Sequence, residues 1–446
     1  MGNQSDTSFH QKELLPVDRF TPIQILILLI CFLVAMVDGF DILIISFTAP
    51  AIIEDWSVGS QKMGVAFSAG LLGMALGSMF LASIADIHGR RIVVSVCLLV
   101  AGFSTFVVQY VHNIDQLIAL RFIAGLALGT LLSALPTLTG EFSPAKYRNL
   151  MIAILLGGTS LGTVLGGLIT SALISEFGWR GIFAGAGLIT MITGVVFYII
   201  VPESLAYIAK RRPDIAQERI NRSLAFMGHP PIAVILPDIT GTKVEAAKLA
   251  SLLTPARRIT TLLAWSAFFL SYCTIYFITS WLPKILVDSG LSHEKGILGT
   301  VVVTLGAALG AVFLAWLSKD RKLNVVVATA FIAGAALMTL FSLQVNNLAT
   351  ISTLALWTLL FFIGVLVLGA FNNLYAIALF VYPAQVRSTG LGWCIGLGRI
   401  GAVISPALAG VLIEWGVSMS QIVLYFAVPA AMAALCTGLI RIREMS

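Results

Sequence analysis

The chain has 446 residues, of which 58% are hydrophobic and only 11% are charged, and its mean hydropathy is +0.98. Soluble domains carry roughly 25% charged residues, so this composition excludes an ordinary soluble domain. The net charge of +6 does not indicate nucleic-acid binding, because the basic residues fall in loops between apolar stretches.

Twelve apolar stretches are long enough to cross about 30 Å of hydrocarbon as helices. Their hydrophobicity is continuous rather than alternating, which indicates helices and not the strands of a membrane barrel. The predicted spans are residues 22–50, 61–84, 93–111, 117–140, 150–175, 181–201, 259–287, 296–318, 325–345, 351–380, 391–415 and 421–440. The sequence thus predicts an all-α membrane protein with five parts: a tail (1–21), a six-helix half (22–201), a central loop (202–258), a second six-helix half (259–440) and a short tail (441–446).

The first span carries two acidic residues, Asp38 and Asp41. A carboxylate near the centre of a bilayer costs at least ~2.5 kcal/mol, and such a residue is by default a functional candidate. The i, i+3 spacing puts both on one helix face, and Gly39 between them permits close approach of another helix. We predict that this pair binds the proton of a proton-coupled process. The alternative is a structural salt bridge to Arg121.

Arg121 lies near the start of the fourth span, at a depth that overlaps that of the two aspartates because consecutive helices run in opposite directions. We expect it to pair with an aspartate or to bind a substrate carboxylate. The alternative is that its long side chain snorkels to the membrane surface.

In the second half, Arg399 lies about two turns inside the eleventh predicted span. Its planar guanidinium fits a carboxylate through two parallel hydrogen bonds, so Arg399 is the first candidate for binding an organic anion. The alternative is a structural partner for backbone carbonyls or for a carboxylate of the other half.

Other polar and aromatic side chains in this half are candidates for substrate contact. Asn372, Asn373 and Tyr375 form a polar cluster in the tenth span, for which hydrogen bonding between helices is an equal alternative. Tyr276 and Trp393 are candidates for stacking on an aromatic ring. Trp281 is expected in the aromatic belt at the outer membrane interface instead.

The loops predict the orientation. Lys and Arg number 21 on the side of the termini and central loop, against four on the opposite side, which predicts that both termini are cytoplasmic. Glycines four residues apart, including the pairs Gly73–Gly77, Gly125–Gly129 and Gly392–Gly396, are expected to be helix-packing contacts.

Four residues of the loop ASIADIHGRR, namely Asp86, Gly89, Arg90 and Arg91, match the loop between helices 2 and 3 of the major facilitator superfamily. The sequence resembles that superfamily over essentially its whole length. The resemblance implies the major facilitator fold, with 12 transmembrane helices in two six-helix halves. Within the superfamily, the stretches Asp38-Gly39-Phe40-Asp41 and 387–401 are similar to signatures of the aromatic acid:proton symporters.

The resemblance also concerns charged residues at the cytoplasmic ends of the helices. The sequence Pro-x-x-x-Arg follows span 4 and recurs after span 10. We expect a gating network that latches one state of the carrier, with solvated loop charge as the alternative. Its predicted members are Asp86, Gly89, Arg90, Arg91, Glu141, Arg148 and Arg387.

Together these features predict a monomeric carrier of the bacterial inner membrane that imports a small aromatic acid anion with protons by alternating access. It is expected to be no enzyme, to have neither catalytic residues nor a metal site, and to use the proton gradient rather than a cofactor. Its other partner is the lipid bilayer, and nucleic acid is not expected. Three alternatives stay open: transport of a non-aromatic acid such as a dicarboxylate or cyclohexane carboxylate, efflux by antiport, and a membrane sensor derived from a transporter.

Overall fold

The computed structural model describes residues 20–211, 215–231, 251–255, 257–383 and 386–440, and these contain helices but no strand. Eleven of the helices are long and apolar enough to cross a membrane. The longest, Arg148–Ile200, is interrupted at Gly178, whose φ of 63° and ψ of 176° are not helical. Glycine adopts this backbone conformation without the steric cost that a Cβ brings. The interruption makes two spans of one helix, so the predicted fold class is confirmed.

The spanning helices are numbered in chain order. In the first half they are α1 (Pro22–Trp56), α2 (Ser60–Leu76, continuing through a π-helical turn at Gly77–Leu81 into Ala82–His88), α3 (Arg90–Val107), α4 (Ile114–Glu141), α5 (148–177) and α6 (179–200). In the second half they are α7 (Arg258–Asp288), α8 (His293–Leu317), α9 (Leu323–Gln344), α10 (Thr353–Ile363, continuing through a π-helical turn at Gly364–Leu368 into Gly369–Val381), α11 (Arg387–Glu414) and α12 (Met419–Leu439).

Each half contains six spans, so α1 begins and α12 ends on the same side of the bundle. We call this side the terminal face and the opposite side the distal face. The predicted tails lie outside the described residues, apart from Phe20 and Thr21. Polar caps mark several helix starts; at α1, for example, Thr21 and Gln24 form a reciprocal capping box.

The segment between the halves adds two short helices, Leu205–Arg211 and Ala216–Phe226. Leu224 and Met227 are fully buried and belong to the same apolar cluster as Ile27 of α1. The described part of the central loop therefore packs on the terminal face of the first half.

Helix pairs within each half approach closely at glycines. A Cβ on Gly73 of α2 would lie 2.9 Å from the Leu126 nitrogen of α4, and one on Gly310 of α8 would lie 2.6 Å from Val365 Cα of α10. These distances leave no room for a side chain. Glycine packing is therefore confirmed at these positions, as predicted.

Candidate functional site

The charges of the first and fourth spans meet inside the first half. Arg121 donates to Asp41, with 3.3 Å between Nη1 and Oδ2, and each side chain is 4% exposed. Thr105 of α3 joins them: its hydroxyl donates to Asp41 Oδ1 over 2.8 Å and accepts from Arg121 Nη2 over 2.6 Å. Arg121 therefore pairs with an aspartate, as expected, and does not snorkel.

Asp38 lies on the same face of α1 but has different surroundings. Its side chain is buried, and in the described part of the chain its Oδ1 has no hydrogen-bond partner. It lies within electrostatic range of Asp41 and of Arg399 from the other half. The two aspartates thus differ: both oxygens of Asp41 are engaged, whereas Asp38 has a free oxygen.

A cavity of about 30 Å³ adjoins this cluster, and Asp41, Arg121, Phe67 and Met74 are among its lining residues. One water needs roughly 10–15 Å³ measured in this way, so the cavity holds about two. It is too small for an aromatic acid. In this state the Asp41–Arg121 pair can therefore be reached by water but not by an organic anion through this cavity.

Close packing against α5 fixes the position of both aspartates. A Cβ on Gly39 would lie 2.8 Å from Thr159 Cα and nearer still to its carbonyl oxygen. Thr163 donates its hydroxyl to the Gly39 carbonyl over 2.8 Å. Because Gly39 stands between Asp38 and Asp41, this contact sets the depth and direction of both side chains.

Arg399 lies in α11, twelve residues after the helix begins at Arg387, which is a turn deeper than the sequence predicted. It is partly buried and reaches across to α2 of the first half. Its Nη1 donates to the Met74 carbonyl over 3.0 Å and to Ser78 Oγ over 2.8 Å. These described partners are neutral, so the charge of Arg399 is left without a carboxylate among them.

Beside Arg399, five rings of α7 and α10 form what we call the aromatic cluster: Phe268, Tyr272, Tyr276, Phe371 and Tyr375. Tyr272 stacks on Tyr276 with centroids 5.7 Å apart and meets Phe371 edge-on at 4.8 Å. The hydroxyls of Tyr272 and Tyr375 are 2.9 Å apart and share a hydrogen bond. Tyr276 lies within electrostatic range of Arg399.

Glycine on α11 allows this cluster to pack next to the arginine. A Cβ on Gly398 would lie 2.6 Å from Tyr272 Cδ2, so the ring rests directly on the backbone beside Arg399. The structure therefore brings the predicted residues Tyr276, Tyr375 and Arg399 into one region.

The remaining predicted ligands have other surroundings. Asn373 donates to the Gly369 carbonyl over 3.0 Å and to the Ala311 carbonyl of α8 over 3.1 Å, so the helix-bonding alternative describes its contacts here. Asn372 is exposed. Trp393 is 39% exposed and lies against Trp265, with ring centroids 5.8 Å apart, outside the aromatic cluster.

The two halves are tightly joined toward the distal face. Ser46 donates to the Thr279 carbonyl over 2.6 Å, and Ser68 donates to the Val403 carbonyl over 2.6 Å. A Cβ on Gly64 of α2 would lie 3.2 Å from Ala407 Cα of α11. These contacts close the space between the halves on this side.

Trp281 belongs to this closure, and its predicted place in the membrane-interface belt is wrong. The side chain is 0% exposed. Its indole nitrogen donates to the Pro406 carbonyl over 3.0 Å, and its ring meets Phe67 of the other half edge-on at 5.2 Å. Sequence depth alone does not distinguish a lipid-facing ring from one at a seam between halves.

The same face of α11 is open toward the terminal face. A Cβ added at Gly396 or at Gly392, one and two turns before Arg399, would meet no heavy atom within 4 Å. The prediction that this glycine pair packs against a helix is therefore wrong in this state. Helices α2 and α11 separate below Arg399, and the structure is closed distally and open toward the terminal face.

Charged residues at the terminal ends of the helices form part of the predicted network. Arg90 makes an ion pair with Glu141, and Ser204 donates to Glu141 over 2.6 Å. Gly89 has a φ of 103°, where a side chain is strained. A Cβ there would lie 2.9 Å from the carboxyl carbon of Glu203.

The other predicted members contact the backbone. Arg91 Nε donates to the Tyr198 carbonyl over 2.8 Å. Arg148 and Arg387 donate to carbonyls at the ends of the preceding helices, Gly140 at 3.0 Å and Tyr382 at 3.3 Å. The two halves thus repeat one contact at the Pro-x-x-x-Arg sites. The Asp86 side chain lies outside the described part of the structure.

Sequence reasoning missed three contacts that complete these groups. Thr105 bridges Asp41 and Arg121, Ser78 holds Arg399, and Glu203 accepts from the Arg91 backbone N–H over 3.1 Å at the start of α3. Thr105 and Ser78 are single hydroxyls in apolar helices, and such residues more often bond to their own helix.

Comparison with known proteins gives a consistent result. Residues 31–394 match the model of the Major Facilitator Superfamily. A gallate transporter of Pseudomonas putida is 31% identical over 430 residues, covering 94% of this chain and 93% of that protein. The 4-hydroxybenzoate transporter PcaK of Pseudomonas aeruginosa is 29% identical over 418 residues, covering 93% of this chain and 91% of its own.

Among solved structures, the inward open conformation of the Escherichia coli xylose transporter XylE superposes with a TM-score of 0.71 at 14% identity, covering 95% of this chain and 97% of that one. The likeness extends to the fold. The chain belongs to the major facilitator superfamily, and the resemblance to its aromatic acid transporters is confirmed. It is a multi-pass membrane transport protein and not an enzyme.

Proposed function

We propose that this transporter imports a small aromatic monocarboxylate together with one proton across the bacterial inner membrane. The observation that carries the proposal is the contrast between its buried charges. Asp41 and Arg121 neutralise each other in the first half, while Arg399 has only neutral described partners beside the aromatic cluster. An arginine in that position calls for an anion from outside the protein.

Recognition of the substrate divides between charge and ring. Arg399 offers a planar donor pair to the carboxylate, and the partly exposed ring of Tyr276 offers a face for stacking. The relatives carry names that specify ring carboxylates, namely gallate and 4-hydroxybenzoate. Their similarity over more than nine-tenths of the chain supports an aromatic acid as the substrate.

Within the pair of aspartates, we assign the transported proton to Asp38. Asp41 already accepts from Arg121 and Thr105, so a proton there would displace existing hydrogen bonds. Asp38 Oδ1 has no such partner in the described part of the chain. Arg121 then serves to hold Asp41 rather than to bind substrate.

Charge balance explains why proton and anion travel together. Among charged residues of the described spanning helices, four lie more than five positions from a helix end: Asp38, Asp41, Arg121 and Arg399. With both aspartates ionised, these four sum to zero. A proton and a monocarboxylate together preserve that sum, whereas either alone leaves one net charge, which costs at least ~2.5 kcal/mol in the membrane interior. Only the empty and the fully loaded carrier therefore reorient readily.

The direction follows from the loops and the observed state. The excess of Lys and Arg on the terminal side favours a cytoplasmic terminal face. The structure then corresponds to the inward-open state. Parting of the distal contacts between α2 and α11, with closure of the terminal side, would give the outward-open state.

The test is uptake by proteoliposomes of labelled benzoate, 4-hydroxybenzoate and gallate. We expect an inward proton gradient to drive accumulation of at least one acid. A membrane potential alone should not, because the loaded step is electroneutral. Accumulation driven by potential alone would refute the one-to-one charge balance. Absence of gradient-driven uptake of every acid in the panel would refute the proposed substrate class.

Two variants locate the proton. Asp38→Asn should abolish gradient-driven accumulation and retain exchange of internal for external acid, because its amide imitates the protonated carboxyl. Asp41→Asn should instead lower the stability of the protein, since Arg121 loses its buried partner. Wild-type accumulation by Asp38→Asn would remove Asp38 from the coupling mechanism.

A further inference from the structure

Arg399 is held in this state by a site on the opposite half of the protein. Its Nη1 lies 3.0 Å from the Met74 carbonyl and 2.8 Å from Ser78 Oγ. Ser78 in turn donates its hydroxyl proton to the Ala75 carbonyl over 3.0 Å. That bond fixes the hydroxyl so that its oxygen, and not its proton, faces the guanidinium.

This site lies at the last described contact between α2 and α11 before the two helices separate. On its distal side, Ser68 bonds to the Val403 carbonyl. On its terminal side, Gly396 faces open space, and α2 widens into its π-helical turn at Gly77–Leu81. Such turns are frequent at functional sites. The contact therefore depends on how the two halves are arranged.

We propose that Ser78 and the Met74 carbonyl form a dock for Arg399 that competes with the substrate carboxylate and lowers substrate affinity in the distally closed state. Ser78 is then a positioning residue that acts through Arg399. The existence of the dock is independent of the substrate, and only its competition with an aromatic acid rests on the proposed function.

The physical reason is that one guanidinium group serves two sets of acceptors. In the distally closed state, the α2 dock occupies Nη1, so a carboxylate must displace it or accept fewer hydrogen bonds. When the halves part at the distal face, α2 moves away from α11 and the donors become free. The carrier thus binds its anion more tightly on the distal side and releases it on the terminal side.

The first experiment examines the dock without substrate. Spin labels at positions 177 and 415, both exposed on the distal face, report the distance between the halves in a background lacking the native cysteines. We expect Ser78→Ala and Arg399→Gln each to shift the population toward the distally open state. The double variant should shift it no further, because both changes remove one contact.

Ser104→Ala is the matched control, because Ser104 likewise donates to a carbonyl of its own helix, that of Val100 over 2.7 Å. It should leave the distance distribution unchanged, and Ser78→Thr should restore the wild-type distribution. A Ser78→Ala distribution identical to that of the wild type would overturn the dock. So would additive effects of Ser78→Ala and Arg399→Gln.

The second experiment examines competition. Cysteines at positions 61 and 414, joined by a short flexible crosslinker, hold the distal face closed, since the Gln61 nitrogen and Glu414 Oε2 are 3.5 Å apart. With 4-hydroxybenzoate as the probe, Ser78→Ala should bind ~3–10-fold more tightly, the value of one hydrogen bond. Unchanged or weaker binding would overturn the competition. If the wild type binds none of the aromatic acids, the proposed function fails, while the distance measurements still decide whether the dock exists.

Discussion

Substitution of Gly39 by alanine tests whether contact between α1 and α5 sets the position of the buried aspartates. A Cβ at Gly39 would lie 2.7 Å from the Thr159 carbonyl carbon and 2.8 Å from its Cα, whereas ordinary contact begins at 3.4 Å. Both obstacles are backbone atoms, which cannot rotate away as a side chain can. The two helices must therefore move apart by more than half an ångström.

The cost of that movement follows from the neighbouring contacts. A Cβ on Gly162 of α5 would lie only 2.5 Å from Met36 Cα, so separation at Gly39 opens a seam that extends along both helices. Overpacking of this kind costs ~1–3 kcal/mol, and loss of the Thr163–Gly39 hydrogen bond adds ~0.5–1.5 kcal/mol. Together these give a destabilisation of about 2–4 kcal/mol.

The assay is thermal unfolding of the purified carrier in detergent, combined with gradient-driven uptake in proteoliposomes. Gly39→Ala should unfold at a clearly lower temperature and should transport poorly even where it remains folded, because Asp38 and Asp41 are displaced. Gly157→Ala is the matched control on α5, since a Cβ there meets nothing within 4 Å. Wild-type stability and transport of Gly39→Ala, or equal losses in the two variants, would refute the reasoning.

Three further changes probe separate contacts. Thr105→Val keeps the shape of the side chain and removes the hydroxyl that bonds Asp41; we expect reduced accumulation of substrate at nearly unchanged protein yield, measured by uptake. Trp281→Phe removes the indole bond of the distal closure and should increase reaction of distal-face cysteines with a membrane-impermeant thiol reagent. Glu141→Gln leaves Arg90 without its ion pair and should lower the unfolding temperature, a loss of about 1–3 kcal/mol.

Each of these has a result that contradicts it. Accumulation by Thr105→Val equal to that of the wild type would show that the hydroxyl is not needed to hold Asp41. Unchanged thiol reactivity in Trp281→Phe would mean that the ring, and not the indole bond, closes the distal side. An unfolding temperature of Glu141→Gln equal to that of the wild type would place Arg90 among surface ion pairs of little value.

The sequence predicts the twelve spans well because hydropathy responds to the same cost of exposing polar groups to lipid that determines the fold. It also predicts the contact between Arg121 and α1, because opposite helix directions fix relative depth. Depth does not fix rotation about the helix axis. Trp281 is therefore predicted to face the membrane interface, although it lies between the halves.

State is a second quantity that one sequence does not specify. Gly392 and Gly396 have the spacing of a packed helix pair, yet they face open space when the terminal side is open. A carrier that alternates must have surfaces that pack in one state and separate in the other. A spacing rule indicates that such packing is possible and does not indicate when it occurs.

The pairing of the four buried charges decides more about function than their number. Two aspartates and two arginines could form two internal salt bridges, which would leave nothing for a substrate to neutralise. Instead, Asp41 and Thr105 engage Arg121 within the first half, while Arg399 from the second half contacts a carbonyl and a hydroxyl. Bonds to neutral acceptors are weaker than charge-assisted bonds to a carboxylate, so an incoming anion has the advantage over the dock. The same asymmetry leaves Asp38 available to balance that anion with a proton, so substrate binding and proton binding become two parts of one requirement for charge neutrality.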